Sequence, residues 1–525
     1  MFKEKLKSVK DEYVTKGYWQ KKTYGELIHE WADKYRDRIA VVEGSEKITY
    51  KELDVLSEKL ACFFIKKGIK KGDSVIFQLT NMISLPIAYF ALFKIGAVPI
   101  PVYPALRERE ITALAVCANA TAYICVEEYL NFCYKELVNK VFEETESMNI
   151  VIYEKEIRDY CFSERGEYKC EYEKPEFDEV ALLLLSGGST GIPKLIERTH
   201  ADHFYSVRLT SEICRLNESS VYLGAMPLTH NFFLCGPGLL GTLYSGGKVV
   251  MAEAASPDEI LRLIDEEGVT ITSLVPAVAK ICLEMQPYFE EYSSETLKIV
   301  QLGGAIVEDS LAQRVEEVFG CKVQQIYGMS EGIICCTRLD DSDDVVYGTQ
   351  GKEISEADVV KIVDAYGMEV PDGENGELIA KGPYTVDHYY KNVHSEKFTE
   401  DGFYKTGDKA VRRKDGNIVI LGRADELINK GGEKVMPVEI EELLKDFEDI
   451  KDAIVIGNDD EALGMEICAF IISSNPCLTD AAIIEKLKQE KVAEYKIPDL
   501  FIRVEQQWPL TAVGKIDKKE LIKML

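Results

Sequence analysis

Positive charge is scarce in this chain. Its 62 Lys and Arg stand against 90 Asp and Glu, a formal net charge of −28 at pH 7. No stretch forms a basic stripe, and the field of the whole molecule would repel phosphate backbones, which excludes nucleic acid as a partner. Long apolar runs are also missing. The most apolar stretch, 85–103, is broken by Lys94, Pro99 and Pro101, a pattern that suits a core helix and strand and not a membrane span. The opening M-F-K-E-K-L-K has no apolar core of a signal peptide, so a cytoplasmic location with no membrane partner is expected. The 14 cysteines form no C-x-x-C pair, and the adjacent Cys335 and Cys336 suit neither zinc spacing nor mutual bridging. Reduced, mostly buried thiols are the expected state. Internal repeats and low-complexity segments are absent as well.

What is present reads as a large globular protein. At 525 residues, 46% hydrophobic and 29% charged, the chain can bury extensive cores and should form more than one domain. Apolar positions recur at helical spacing over 24–37 and 50–67, with Leu53, Leu56, Leu60, Phe63 and Phe64 on one face and Gly68 and Gly72 following. Residues 74–79 read as a strand, 84–95 as a helix and 98–103 as a strand; farther on, 257–267 reads as a helix, and 270–275 and 299–302 as strands. This alternation predicts an α/β fold with parallel sheets covered by helices on both faces.

The most informative stretch follows an apolar run at 181–185, expected to be a buried parallel strand. It reads Ser186, Gly187, Gly188, Ser189, Thr190, Gly191, Ile192, Pro193, Lys194. Three glycines let backbone N–H groups converge on one anion, the hydroxyls can donate, and the lysine adds a point charge. A loop holding nucleotide phosphates is the natural reading, although Gly/Ser turns after strands are common. The order is not that of G-x-x-x-x-G-K-[ST], because no Ser or Thr follows the lysine.

Further segments carry chemistry-bearing residues. In 226–238, proline and glycine bracket His230, Asn231, Phe232 and Phe233, as at a helix start beside a pocket; capping of that helix by His230 or Asn231 is the plain alternative. The strand 299–302 ends in Gly303, Gly304 and Ala305, where the backbone can approach a ligand or make a tight turn. Tyr327, Gly328, Met329 and Glu331 place an aromatic ring and a carboxylate within five residues. Asp408 lies in Y-K-T-G-D, Arg423 and Asp425 in G-R-A-D-E, and Lys515 in a glycine-preceded loop before a C-terminal helical end. Taken singly, the charged members of these segments could be solvated surface groups.

Together, in this order, the segments resemble the signatures of the adenylate-forming superfamily: acyl- and aryl-CoA synthetases, adenylation domains of nonribosomal peptide synthetases, and luciferases. The resemblance covers roughly residues 20–525 and is strongest to the stand-alone aryl-acid (2,3-dihydroxybenzoate or salicylate)–AMP ligases of siderophore biosynthesis. It implies a large N-terminal domain of two parallel-rich sheets with packed helices plus a small β-barrel-like part, and a small mobile α+β C-terminal domain. The adenylation core would span 1–422, and 423–525 would swing about a hinge at Asp425.

The resemblance also implies roles for single residues. ATP would meet Ser186, Gly187, Gly188, Ser189, Thr190, Gly191 and Lys194, the Gly303–Gly304–Ala305 turn, Tyr327 against adenine, Gly328, Met329, Asp408 at the ribose and Arg423. Glu331 would hold Mg²⁺, a hard cation that needs oxygen ligands. Lys515 would be the catalytic lysine, and His230 a gate between half-reactions. The acyl pocket would be lined by His230, Asn231, Phe232, Gly236, Gly304 and Ile334. Amino-acid-activating relatives carry Asp where Asn231 stands, and a substrate ammonium wants a buried carboxylate, whereas a neutral amide suits a phenol hydroxyl. The expected reaction is ATP-dependent formation of an aryl-adenylate with release of pyrophosphate. Transfer to the phosphopantetheine thiol of an aryl carrier protein, or to CoA, would follow.

Departures bear on the acid. Gly236 stands where dihydroxybenzoate enzymes carry a serine facing the 3-hydroxyl, Ile334 is bulkier than the valine common there, and 104–110 lacks the histidine-containing loop of those relatives. An aryl-CoA ligase, and a non-catalytic nucleotide-binding scaffold, are the alternative readings. Intact Lys194, Glu331, Asp408 and Lys515 argue against the scaffold.

Overall fold

Two sheets realise the alternation of helix and strand in the first part of the chain. In the computed structural model, residues 2–163, 170–186, 194–393, 395–423, 426, 428–430, 433–460, 464–490, 496–505, 507–511 and 515–525 are described. The strands Val98–Pro101, Ser74–Gln78, Ala122–Cys125 and Ile150–Tyr153 form a wholly parallel four-stranded sheet in that spatial order. A nine-stranded sheet runs in the order Lys352–Glu353, Gly332–Cys336, Lys322–Met329, Ile299–Gly303, Ile271–Leu274, Val221–Gly224, Lys248–Met251, Ile39–Glu43, Glu46–Thr49. Its six central strands, from Lys322–Met329 to Ile39–Glu43, are parallel, and antiparallel hairpins finish both edges.

Both sheets contribute to one continuous apolar core, with Val75 and Ile124 from the smaller and Val41, Leu223 and Val300 from the larger. The helix Ser84–Ile95 is apolar nearly all round, and all its residues are buried. A helix with no polar face belongs inside, so the expectation of a core element in place of a membrane span holds here. Among the described residues no helix is long and apolar enough to cross a membrane. The helices Tyr24–Tyr35 and Tyr50–Lys67 start on threonine capping boxes, Thr23 with Glu26 and Thr49 with Glu52.

Two expectations need correction. The strand Val180–Leu185 is buried but not parallel: it pairs antiparallel with Leu195–Thr199 in a two-stranded hairpin. A run of leucines reports burial on both faces and says nothing of direction, which the returning strand sets. The hairpin's mouth is closed by Ser186 N–H donating to the Lys194 carbonyl (2.9 Å) and by Lys194 N–H donating to Ser186 Oγ (3.0 Å). The second correction concerns the thiols. Cys62, on the helix Tyr50–Lys67, is disulfide-bonded to Cys170, 108 residues away. Nearby, the Tyr172 hydroxyl donates to Glu58 Oε2 (3.0 Å), holding the same segment against the same helix. Spacing rules cannot see a pair so far apart in sequence. The other twelve cysteines are free, and nine of them are buried, as expected.

The chain divides into two compact units, one of Met1–Val360 with Ala380–Tyr404 and the other of Lys361–Ile379 with Lys405–Leu525. The second holds most of a four-stranded sheet ordered Val359–Val363, Asn375–Lys381, Tyr404–Arg412, Ile418–Arg423. It also holds an α+β portion: the antiparallel pair Ile450–Asp460 and Gly464–Ser473, Leu500–Arg503 added in parallel, and the helices Pro437–Lys445 and Asp480–Gln489. Ile440, Leu444, Val455, Ile467, Ala469 and Ile483 make its core. The boundary expected after Gly422 differs from this division, which also puts Lys361–Ile379 and Lys405–Gly422 in the second unit.

Denatured in the absence of reductant, the protein is expected to titrate with twelve thiols out of its fourteen cysteines. Fourteen would remove the Cys62–Cys170 pairing.

Candidate active site

The first unit presents two groups of site residues. At one, the hairpin joining Lys322–Met329 to Gly332–Cys336 turns through only Ser330 and Glu331, since Met329 already faces Gly332. Gly332 is obligatory there. Its φ is +134°, and a Cβ would lie 2.4 Å from Thr385 Cα. The tight turn presents Glu331, which is 5% exposed, so its carboxyl oxygens need partners. Tyr389 donates its hydroxyl to Glu331 Oε1 (2.7 Å) and lies 3.1 Å from the Tyr404 hydroxyl. Burial, then the Glu331 charge, pushes the Tyr404 phenol well up, which keeps its proton in place. The Lys194 ammonium sits 5.2 Å from the centroid of the Tyr389 ring, a cation–π distance. A lysine, a buried carboxylate and two phenols thus gather around one point. Phosphate oxygens and a hard divalent cation both fit such a donor set.

Beneath the turn lies Arg198, 1% exposed. Its Nε donates to Asp202 Oδ1 (2.8 Å) and its Nη1 to the Ser330 carbonyl (3.0 Å). Asp202 Oδ2 in turn accepts from Thr199 N–H and Oγ1, the capping box of the helix His200–Ile213. The Tyr327–Glu331 segment is therefore tied to that helix through a buried ion pair. Tyr327 is half-buried and Gly328 exposed on the same strand.

The second group surrounds the short helix Asn231–Cys235. His230 caps it, its Nδ1 accepting from Phe232 N–H (3.2 Å), so the plain capping reading applies to this residue. Its ring also stacks on Tyr103 at 5.6 Å between centroids. Phe232, Gly236 and Gly303 meet at Ile326. A Cβ on Gly303 would lie 2.5 Å from Ile326 Cγ2 and 3.2 Å from Phe232 Cε1, and one on Gly236 would lie 3.0 Å from the Phe232 carbonyl and 3.7 Å from Ile326 Cδ1. Ile334 is buried opposite Gly328 and shares an apolar cluster with Ile326 and Phe232. Gly304, at φ +83°, and Ala305 are exposed at the end of their strand.

In the second unit, Asp408 and Arg423 face each other across adjacent strands. Arg423 Nη1 donates to Asp408 Oδ1 (3.1 Å) and to the Thr406 carbonyl (3.2 Å), and Asp408 is 6% exposed. Burial pulls the Lys515 ammonium below its ordinary range; the Arg423 charge acts the same way, and Asp408 opposes it. Gly187, Gly188, Ser189, Thr190, Gly191 and Asp425, the expected hinge, lie outside the described residues.

Comparison with known proteins gives this arrangement a family. The model of the AMP-binding enzyme family matches residues 28–390, and that of its C-terminal domain matches 439–515. The chain belongs to the AMP-binding enzymes. It is 40% identical to 2,3-dihydroxybenzoate-AMP ligase of Bacillus subtilis over 97% of this chain and 95% of that one. It is 36% identical to a salicylyl-CoA synthase / salicylate adenylyltransferase of a Streptomyces species over 98% of this chain and 96% of that one. Among solved structures it resembles apo MbtA of Mycobacterium smegmatis, with a TM-score of 0.74 at 34% identity over 98% of this chain and 97% of that one. The resemblance to adenylate-forming ligases thus holds over both domains, and ATP is the nucleotide such ligases use.

For an AMP-binding enzyme, sequence reasoning passed over several supporting residues. Tyr389 and Tyr404 carry no local signal beyond their aromatic character. Arg198 and Asp202 do carry one, the T-x-x-D box at 199–202. His203, buried behind Asn231, could have been noticed as one of only six histidines. His388 also went unnoticed: its ring nitrogens pair with Asp387 and with Glu197, on the strand Leu195–Thr199 (2.5 and 3.0 Å).

Gly332→Ala is expected to lower stability by about 2 kcal/mol or more, through left-handed strain and contact with Thr385, with a matching fall in the urea midpoint. His388 should titrate near 10 in a proton NMR titration, because the Asp387 and Glu197 carboxylates favour its charged form. A raised folded pKa means that the stability from these pairs is fully present below pH 6.5 and is lost as pH rises through about 10. A midpoint near 6.5 would show that the pairs do not form in solution.

Proposed function

We propose that this AMP-binding enzyme activates an aryl carboxylic acid of the salicylate or 2,3-dihydroxybenzoate type to aryl-AMP, releasing pyrophosphate, and passes the aryl group to the phosphopantetheine thiol of an aryl carrier protein. The observation that carries the reading is Asn231, half-buried at the start of the helix Asn231–Cys235 and next to Phe232, whose ring packs near Gly303 and Ile326. A neutral amide serves a ring hydroxyl where an amino acid substrate would need a carboxylate. Relatives whose names specify dihydroxybenzoate and salicylate support the same class. Gly236 tilts the choice toward salicylate. Serine there would bring its Cβ within 3.0 Å of the Phe232 carbonyl, and without it no hydroxyl faces a 3-OH.

In this mechanism the aryl carboxylate attacks the α-phosphorus of ATP, and the bond to the pyrophosphate oxygen breaks. Little covalent chemistry falls to the protein, so it acts by positioning and by charge. Lys194 and the phosphate loop hold the leaving pyrophosphate. Glu331 would hold Mg²⁺, which neutralises phosphate charge when bound; the buried carboxylate, kept in place by Tyr389, is a fitting oxygen ligand. Asp408 accepts from the ribose hydroxyls, and Tyr327 offers its ring to adenine. Lys515 spans the attacking carboxylate and the α-phosphate. Because it lies on the second unit, closure of the C-terminal domain, with Asp425 as hinge, would govern when that charge arrives. His230 would then gate the approach of the thiol.

Acid-dependent ATP–pyrophosphate exchange tests the reading across salicylate, 2,3-dihydroxybenzoate, benzoate and amino acids. A hydroxylated benzoate should support exchange, and Lys515→Ala should reduce it by about two to three orders of magnitude. Exchange with no aryl acid would overturn the assignment. Turnover with CoA in place of a carrier protein would redirect only the acceptor.

A further inference from the structure

Behind Asn231 lies a buried polar chain that the reaction itself does not use. Tyr24 and His203 are both completely shielded from solvent. The Tyr24 hydroxyl is 2.7 Å from His203 Nδ1, and His203 Nε2 is 3.1 Å from Asn231 Oδ1. One helical turn on, the Cys235 thiol also donates to Asn231 Oδ1, at 3.3 Å.

The direction of every hydrogen bond in this chain follows from its far end. Burial holds the Tyr24 phenol well above its ordinary range, so it keeps its proton. His203 is the hydroxyl's single hydrogen-bond partner among the described residues. A buried O–H with one partner must donate to it, because the alternative leaves that proton unsatisfied at a cost of about 1–3 kcal/mol. His203 Nδ1 is then the acceptor. Burial and the Arg198 charge pull the ring's pKa down to about 3, so it is neutral and carries one proton. With Nδ1 accepting, that proton is on Nε2 and points at Asn231. Asn231 must answer with its carbonyl oxygen, and the amide nitrogen, the other arm of the same planar group, is left to donate elsewhere.

We propose that Tyr24 and His203 are positioning residues that fix Asn231 as a hydrogen-bond donor toward the acyl recess, and that this polarity selects ortho-hydroxy over ortho-amino aryl acids. The proposal rests on the reading that Asn231 meets the ring substituent. An ortho-hydroxyl turns its proton to the neighbouring carboxylate and keeps a lone pair for Asn231. An ortho-amino group also donates to the carboxylate, but its lone pair is drawn into the ring, so it meets the amide donor against donor.

Two measurements on the full chain test this. Nitrogen-15 NMR of histidine-labelled protein, with His203 assigned through His203→Gln, should show a neutral ring protonated at Nε2; protonation at Nδ1 would overturn the relay. In pyrophosphate exchange, kcat/KM for salicylate should exceed that for anthranilate by about a hundredfold. Tyr24→Phe removes the donor that orders the chain and should cut that ratio at least tenfold, about 1.4 kcal/mol. If Tyr24 were merely structural, both acids would lose by the same factor and the ratio would stay, which overturns the proposal. Exchange with neither acid would sink the aryl-acid reading and the selectivity with it, while the tautomer still decides the relay.

Discussion

A guanidinium that is 1% exposed has to be satisfied where it lies, because arginine cannot shed its proton. Arg198 meets that demand with Asp202 and the Ser330 carbonyl, while its Nη2 finds no hydrogen-bond partner among the described residues. The consequences run both ways along the molecule. Toward the nucleotide-facing side, the Ser330–Glu331 turn is held to the helix His200–Ile213. Toward the acyl recess, the same charge helps keep His203, on that helix, neutral. Losing either partner would strand a buried charge, which costs more than the pair contributes. One cation thus bears on both the place of the buried Glu331 carboxylate and the neutral state of His203 behind Asn231.

The two groups of residues in the first unit solve different electrostatic problems. Around Glu331 the structure gathers formal charge, with Lys194 over the Tyr389 ring and a buried carboxylate satisfied by phenols. Around Asn231 it gathers neutral dipoles in a fixed order. Formal charge suits phosphates and pyrophosphate, whose charge is large and non-directional. Ordered neutral dipoles suit an aromatic acid, where the distinction between a lone pair and an N–H is small in energy until water is excluded.

Much of this was legible in sequence, and the exceptions have a common cause. The helices Tyr50–Lys67 and Ser84–Ile95 end where apolar spacing and glycine place them, and the motifs around Tyr327, Asp408 and Lys515 stand out because several residue types are confined to short windows. What escaped is non-local. Tyr24 and His203 are 179 residues apart, and Cys62 and Cys170 are separated by 108. The apolar run 181–185 announced its burial but not its direction, which Leu195–Thr199 decides. Apolar periodicity reports which face is covered; it does not report by what, and the polar partners of a site are set by the covering element.

The acidic surface bears on how the substrates arrive. With a net charge of −28, long-range steering works against ATP and aryl carboxylates alike. At physiological salt, however, screening confines that repulsion to about 8 Å. Beyond that distance the surface is nearly silent, and inside it the local groups dominate. Lys194 is half-buried beside Tyr389, and in the second unit Arg423 pairs with the buried Asp408, whose charge also acts on Lys515. Positive charge in this chain is therefore scarce overall, and at Lys515 burial changes how the charge behaves. The same desolvation that lowers the pKa of Lys515 also strengthens its interaction with an incoming anion.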